Sequence, residues 1–214
     1  TITAFTNVTL HLSYNEIVEK GTLIIQDGRI IASGSGVKIP KNAVVIDAEG
    51  KHIYPSFVEV YSNYGITPNK RREQFLSSTD GAYSWNEALR AETNAVELFK
   101  PDEKSAKEYL KLGFGSILSH QTDGIMRGTS VFSVLNSGNE NEVVLKGNVS
   151  NHLSFNKGTS RQDYPSSLMG SIALIRQSYL DAEWYKTAQG KEFNLTLEAI
   201  NATRRLPQIF EVSD

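Results

Sequence analysis

Two histidines lie at or near the ends of neighbouring segments that have strand-like patterns. His120 ends the run that starts at Gly115, and His152 lies in the next strand candidate, Val149 to Phe155. Imidazole is a common ligand of zinc-like ions, so two histidines at neighbouring strand ends could share one metal. Alternatively, the two histidines form a hydrogen-bonded pair packed between strands, because no third ligand is evident from the spacing. Both interpretations stay open at this point.

The residues around these histidines also allow two interpretations each. Asp123 follows His120 by three positions, so its carboxylate could orient the imidazole, or it could stabilise a turn with the glycine that follows it. Arg127 could contact an anionic group of a substrate, or it could be an ordinary surface arginine. For His11 and His52, which lie in a β-rich segment, we expect structural or surface roles.

The first quarter of the chain has the pattern of short β-strands. Residues 1–54 alternate apolar and polar side chains, most clearly from Phe5 to Leu12, and show no helical period. Asp27-Gly28 separates two apolar runs. This dipeptide predicts a hairpin with a type I′ turn, because both central residues of that turn need positive φ.

From Pro55 onward, predicted strands alternate with predicted helices. Pro101-Asp102-Glu103 starts one helix, and Ser166 to Lys186 carries apolar residues at three- and four-residue spacing after a capping serine. Such alternation favours parallel strands joined by crossover helices. Between these elements, the polar stretch from Ser62 to Ala91 predicts a long loop, and loops of this length are usually functional or mobile.

Composition narrows the classes of function. The net charge of −2 gives no reason to expect a nucleic-acid or anionic-membrane partner. The absence of cysteine excludes disulfides, thiolate metal sites and a cysteine nucleophile. No apolar run approaches the roughly 20 residues that a membrane span needs. The chain starts at Thr1 rather than Met, which indicates processing or trimming. The sequence does not give the compartment; a secreted or periplasmic protein is compatible with the removal of a signal peptide.

One segment resembles a known family. Residues 45–59 read VIDAEGKHIYPSFVE, which is similar to the junction of the metal-dependent amidohydrolase superfamily, where a β-sandwich strand leads into a barrel strand and a His-x-His metal motif. The hairpin from Gly21 to Gly34 resembles the GxIxIxDGRIxxIG pattern of the same family. Glu87 to Glu92, Gly113 to Ile117 and Asp123 to Thr129 resemble its imidazolonepropionase-related branch, so the resemblance runs along most of the chain.

The resemblance implies an α/β fold in which residues 1–54 are a segment of a composite β-sandwich and residues 55–214 are the N-terminal part of a (β/α)8 TIM-like barrel. It implies hydrolysis of non-peptide C–N bonds of the cyclic amide type by metal-activated water. A complete barrel needs about 250 residues. We therefore expect the rest of the barrel, or another copy of the chain, as the partner. We expect no cofactor in this chain, and zinc or a similar divalent metal only in the full-length protein.

The sequence departs from the family at the metal positions. Tyr61 and Asn63 stand where the resemblance places the two histidines of the motif, and phenol and carboxamide groups are poor ligands for zinc-like ions. Glu211 stands where a later strand of the family presents another histidine. His120, His152 and Glu211 are thus the remaining candidate metal ligands. We expect that this chain is not catalytic alone; the alternative is a degenerate amidohydrolase domain with a structural, partner-docking or ligand-binding role.

Overall fold

The fold is described by a computed structural model that covers residues 1–68, 84–188 and 191–212. The chain divides into two compact units, Thr1–Ser56 and Phe57–Asp214. Residues 69–83 of the predicted loop lie outside the described residues. Across the described ranges, no helix is both long enough and apolar enough to cross a membrane.

The first unit is built on one five-stranded sheet. β1 lies at its centre, antiparallel to β2 and parallel to β4 and β5. Val8 and Leu10 of β1 pack with Leu23 of β2 to form the core of the unit. The composite β-sandwich, which needs a second sheet, remains a prediction. The strands are β1 (Ile2–Ser13), β2 (Glu16–Gln26), β3 (Arg29–Gly34), β4 (Val44–Asp47) and β5 (His52–Ile53).

The hairpin between β2 and β3 has the backbone that its turn residues predict. Asp27 and Gly28 both have positive φ, 49° and 76°, and Gln26 pairs with Arg29 across the turn. Two positive φ values are the requirement of a type I′ turn, so the sequence prediction is confirmed here.

The second unit contains a five-stranded sheet with the order β10-β9-β8-β7-β6. β6 is parallel to β7, and β9 is parallel to β10, but β8 is antiparallel to both of its neighbours. The sequence pattern did not predict β8, and the expected arrangement of parallel strands is wrong where this strand joins the sheet. Only Gln121 to Ile125 connect β7 to β8, whereas a parallel crossover needs about a dozen residues or more. The strands are β6 (Phe57–Ser62), β7 (Phe114–His120), β8 (Met126–Val134), β9 (Val144–Ser154) and β10 (Gln208–Glu211).

The helices of the second unit begin at capping residues. Asp102 caps α2 by accepting from the backbone N–H of Ser105, and Ser167 caps α4 by accepting from that of Gly170. Both predicted helix starts are confirmed. Leu174 of α4 belongs to the apolar cluster that also holds residues of β9 and α5. The described helices are α1 (Ala95–Leu98), α2 (Glu103–Lys111), α3 (Glu140–Val143), α4 (Leu168–Thr187) and α5 (Leu195–Thr203).

Candidate functional site

The strand ends of the second unit surround an open cavity of about 840 Å³. β6, β9 and β10 present their carboxyl ends to it, the antiparallel β8 begins there, and the N-terminus of α4 forms another wall. Active sites of barrel enzymes form at this end of the parallel strands. The residues that line the cavity include Tyr61, Arg127, Ser154, Lys157, Ser167 and Glu211.

Arg127 links the two edge strands of the sheet at this cavity. Its Nη2 lies 2.5 Å from Oε2 of Glu211, and its Nη1 donates to the hydroxyl of Tyr61 at 3.3 Å. Its Nε donates to the carbonyl oxygen of Gly124 at 3.0 Å. The Arg127 side chain is only 4% exposed and that of Glu211 is 40% exposed, so the pair lies at the boundary between protein interior and solvent. The interpretation of Arg127 as a surface arginine is wrong.

These contacts set the protonation of the cluster. Burial raises the pKa of the Tyr61 phenol, and its hydrogen bond with the Glu211 carboxylate raises it further against the opposing effect of Arg127. Burial also acts to raise the pKa of Glu211, but hydrogen bonds from Tyr61 and Arg127 outweigh it, and the pKa of Glu211 falls below its ordinary value. At neutral pH the cluster therefore combines a neutral phenol, a carboxylate and a guanidinium.

Next to this cluster, His120 and His152 stack face to face with ring centroids 3.5 Å apart and planes inclined by 17°. They meet although β8 lies between their strands, because the residue opposite His120 on β8 is the small Ser130. Nδ1 of His120 lies 2.8 Å from the carbonyl oxygen of Gln121, while its buried Nε2 has no hydrogen-bond partner. Nε2 of His152 lies 3.0 Å from the hydroxyl of Ser150.

Burial keeps this histidine pair uncharged. It lowers the pKa of His120 to about 4, and the positive charge of Arg127 acts in the same direction. Burial, followed by the neighbouring His120 and by Arg127, lowers the pKa of His152 to about 3. Both imidazoles are therefore neutral at pH 7. The ring of Tyr61 lies edge-on to His120, with 4.9 Å between centroids, which brings the pair into contact with the charged cluster.

The donor groups at this end of the sheet do not fit a divalent metal ion. Tyr61 keeps its proton, and the carboxamide of Asn63 is a poor ligand. The guanidinium of Arg127 bonds to both Tyr61 and Glu211, and its charge repels another cation. The described residues contain no group of three or more His, Asp or Glu side chains arranged to hold a metal. The stacked histidines and Glu211 thus do not form a ligand set.

Asp123 has a different partner from the one that the sequence suggested. Its Oδ2 lies 2.6 Å from Nη1 of Arg90, and both its oxygens accept hydrogen bonds from Thr159 at 2.7 Å. The interpretation in which it orients His120 is wrong, because the bonded nitrogen of that ring faces a backbone carbonyl. The positive φ of Gly124, 96°, agrees with the turn that was the alternative. Asp123 therefore joins three loops beside the cavity.

The sequence marked Glu87 to Glu92 only for its resemblance to the family and predicted no role for the charged residues of this segment. Glu87 and Arg90 are 4% and 7% exposed. The carboxylate of Glu87 accepts from the backbone N–H of Arg161 at 2.9 Å, and its own backbone N–H donates to Gln162 at 2.8 Å. The partners lie 74 and 75 residues further along the chain, so no local pattern could have revealed this pairing.

Comparison with known proteins finds a similar fold in a solved structure. No protein-family model and no curated protein sequence matches the chain. Among solved structures, the chain is similar to an amidohydrolase from Thermotoga maritima MSB8, with a TM-score of 0.76 and 21% sequence identity. The match covers 97% of this chain and 57% of that chain, so this chain spans little more than half of that structure's length. At this identity, the likeness shows a shared fold.

Two further similarities are much more partial. An amidohydrolase structure is 28% identical over 31% of this chain and 16% of that chain, with a TM-score of 0.27. The guanine deaminase of E. coli is 19% identical over 56% of this chain and 29% of that chain, with a TM-score of 0.28. Overlaps of this quality carry no weight for fold or function. The described residues form a mixed α/β arrangement with two sheets, and the likeness to the Thermotoga maritima amidohydrolase is a likeness of fold.

Proposed function

We propose that the chain is the N-terminal part of an amidohydrolase-type protein whose complete form hydrolyses non-peptide C–N bonds, such as those of cyclic amides. The observation that carries this proposal is the TM-score of 0.76 with an amidohydrolase over 97% of the chain. The position of the cavity supports it, because barrel hydrolases assemble their sites at the carboxyl ends of the strands. The narrower relation to the imidazolonepropionase-related branch rests on the sequence resemblance alone.

Within that protein, this chain supplies one wall of the cavity, and it does not supply the ligands of the hydrolytic metal. Tyr61, Arg127 and Glu211 form a closed, charge-balanced cluster where the resemblance places the first metal ligands. A zinc-like ion of the complete protein would have to be held by residues beyond this cluster. Glu211 then balances the positive charge of Arg127 at the cavity, and the neutral, fully buried histidine pair packs against Tyr61 from the protein interior.

The proposed partner is the remainder of the barrel, or another copy of the chain. β6 and β10 are the edge strands of the second sheet, and each pairs with one strand among the described residues. Val58 and Val60 on β6 are 49% and 58% exposed, and Phe210 on β10 is 44% exposed. Parallel strands are normally covered on both faces, and apolar edge strands invite pairing. Both edges are thus suited to receive further strands.

A second candidate function is a degenerate amidohydrolase domain that binds a ligand or docks a partner without catalysis. The specific observation in its favour is the Arg127–Glu211 ion pair, which sets a permanent cation beside a residue that the resemblance aligns with a metal ligand. This alternative predicts that no form of the protein hydrolyses amides, whereas the first proposal predicts hydrolysis by the complete protein.

The experiment measures the hydrolysis of a panel of cyclic amides by the full-length protein and by the 214-residue chain. Each protein is assayed once after zinc loading and once after treatment with a chelator. The metal content of both proteins is measured by mass spectrometry. We expect zinc-dependent hydrolysis by the full-length protein and none by the 214-residue chain. A full-length protein that is inert with zinc bound would refute the hydrolase proposal, and hydrolysis by the 214-residue chain alone would refute the assigned division of roles.

A further inference from the structure

The first unit carries a second pair of histidines. Nε2 of His11 on β1 lies 3.0 Å from Nδ1 of His52 on β5. The ring of Tyr54 stacks on His11 with 4.0 Å between centroids, which holds this imidazole in place. His52 is exposed and His11 is half-buried, in contrast to the fully enclosed His120 and His152.

We infer that His11 and His52 form a surface binding site for a divalent transition-metal ion, with Cu²⁺ preferred. When two nitrogen ligands each lie about 2.0 Å from one ion, their separation depends on the N–metal–N angle. The nitrogens are about 2.8–2.9 Å apart at an angle of 90° and about 3.3 Å apart at the tetrahedral angle. The observed 3.0 Å between the ring nitrogens lies between these two values, and Cu²⁺ is preferred because it stands highest in the affinity order of divalent first-row metals for nitrogen ligands. At this distance the two nitrogens share a hydrogen bond, so the donating ring must move its proton to its other nitrogen and both rings must turn before the two lone pairs meet at one ion.

The surroundings favour this site over the buried pair. Solvent reaches His52, so an ion can enter and water can fill the remaining coordination positions. The strand pairing that joins β1 to β5 fixes the separation of the two histidines, because Thr9 pairs with His52 and Leu10 with Ile53. A preformed separation lowers the ordering cost of binding.

The test titrates the 214-residue chain with Cu²⁺ in a glycine-competition buffer, followed by calorimetry and electron paramagnetic resonance. We expect one site with nitrogen hyperfine structure from two imidazoles. The His52→Ala variant, which changes an exposed side chain, should weaken binding at least about tenfold, since even outer-shell partners of metal ligands contribute 10- to 100-fold. His11→Gln should do the same, and Zn²⁺ should bind more weakly than Cu²⁺.

The matched control is Tyr54→Phe, which keeps the ring that stacks on His11 and leaves both imidazoles in place. Its Cu²⁺ affinity should equal that of the unmodified chain. Amide signals of Leu10 and Ile53 should broaden first when Cu²⁺ is added, because these residues adjoin the pair. Equal affinity in His52→Ala and the unmodified chain, or broadening that starts in the second unit, would overturn the inference. The site lies wholly in the first unit, so its failure leaves the proposed function untouched.

Discussion

Replacement of Arg127 by Met tests the charged cluster at the cavity. Methionine keeps the unbranched shape of the arginine stem but removes the guanidinium that contacts Glu211, Tyr61 and Gly124. The carboxylate of Glu211 then loses its counter-charge while it remains partly enclosed. We expect a clear loss of stability in the second unit, because a charge left without its partner is more costly than the pair was favourable.

The size of this loss follows from the exposure of the two side chains. Breaking a fully buried ion pair costs about 3–5 kcal/mol, and breaking an exposed one costs about 0–1 kcal/mol. With Arg127 4% exposed and Glu211 40% exposed, an intermediate cost of about 2 kcal/mol is expected. The lost hydrogen bond to Gly124 adds about 1 kcal/mol. A total of about 3 kcal/mol corresponds to a fall in Tm of about 6–12 °C for a unit of this size.

Urea unfolding followed by tryptophan fluorescence measures the effect, because Trp85 and Trp184 are the two tryptophans of the chain and both lie in the second unit. The loss should depend on pH. The pKa of Glu211 is lowered in the folded state, so its pairing stabilises the fold above its ordinary pKa of 4.5 and ceases to do so as the pH falls through the lowered value. The difference between Arg127→Met and the unmodified chain should therefore shrink below pH 4.5.

The double variant Arg127→Met/Glu211→Leu is the control. It removes both charges, and it should recover part of the lost stability, since replacing both partners with apolar groups is often neutral. A loss under about 0.5 kcal/mol in Arg127→Met, which is the range of ordinary surface substitutions, would refute the reasoning. A double variant that is less stable than the single one would also refute it.

Three further predictions concern the rest of the second unit and one turn of the first. Imidazole NMR signals of His120 and His152 should show the neutral form from pH 8 to pH 5 and titrate near pH 4 and pH 3, because burial disfavours the charged forms. The stability that the two neutral imidazoles contribute above pH 6.5 is then lost as the pH falls through these lowered pKa values. Asp123→Ala should cost about 3 kcal/mol in urea unfolding, since its ion pair is mostly buried. Gly128→Ala should destabilise the second unit severely, because the φ of Gly128 is +78° and an added Cβ would come within 2.0 Å of a backbone carbonyl oxygen. Gly28 has a similar φ of +76° but open space around it, so Gly28→Ala should cost only about 1–2 kcal/mol in the first unit.

Each of these predictions has its own contradicting result. A midpoint near pH 6.5 for either buried imidazole would show that solvent reaches the pair. The control for Asp123→Ala is Glu108→Ala, which breaks an exposed ion pair with Lys111 and should cost less than about 1 kcal/mol; equal losses would contradict the burial argument. Equal losses in the two glycine variants would show that backbone conformation, and not the close approach at Gly128, dominates both.

Local sequence patterns predicted those parts of the fold that depend on near neighbours. The Asp27-Gly28 turn and the capped starts of α2 and α4 follow from backbone chemistry within a few residues, and the structure confirms them. β8 escaped prediction because a buried strand that contains Arg127, Thr129 and Ser130 has no apolar run. Its antiparallel direction follows from the short connection between β7 and β8, and hydrophobic periodicity gives no information about the length of a connection.

The sequence could mark individual residues of the candidate site, but not the contacts between them. Strand positions predicted that His120 and His152 lie near the ends of neighbouring strands, but the structure places β8 between those strands. The resemblance marked Tyr61 as a departure from the family. The bond between Arg127 and Glu211 joins residues that are far apart in sequence, so only the folded sheet brings them together. The same holds for Asp123, whose turn was foreseen from sequence but whose arginine partner was not.

The most direct test of the account is a crystal structure of the chain soaked in zinc, with anomalous scattering recorded at the zinc edge. The account predicts no anomalous peak between Tyr61, Asn63 and Glu211, and the guanidinium of Arg127 within hydrogen-bond distance of Glu211. A well-occupied zinc in contact with Tyr61 and Asn63, with Arg127 turned away from Glu211, would contradict it.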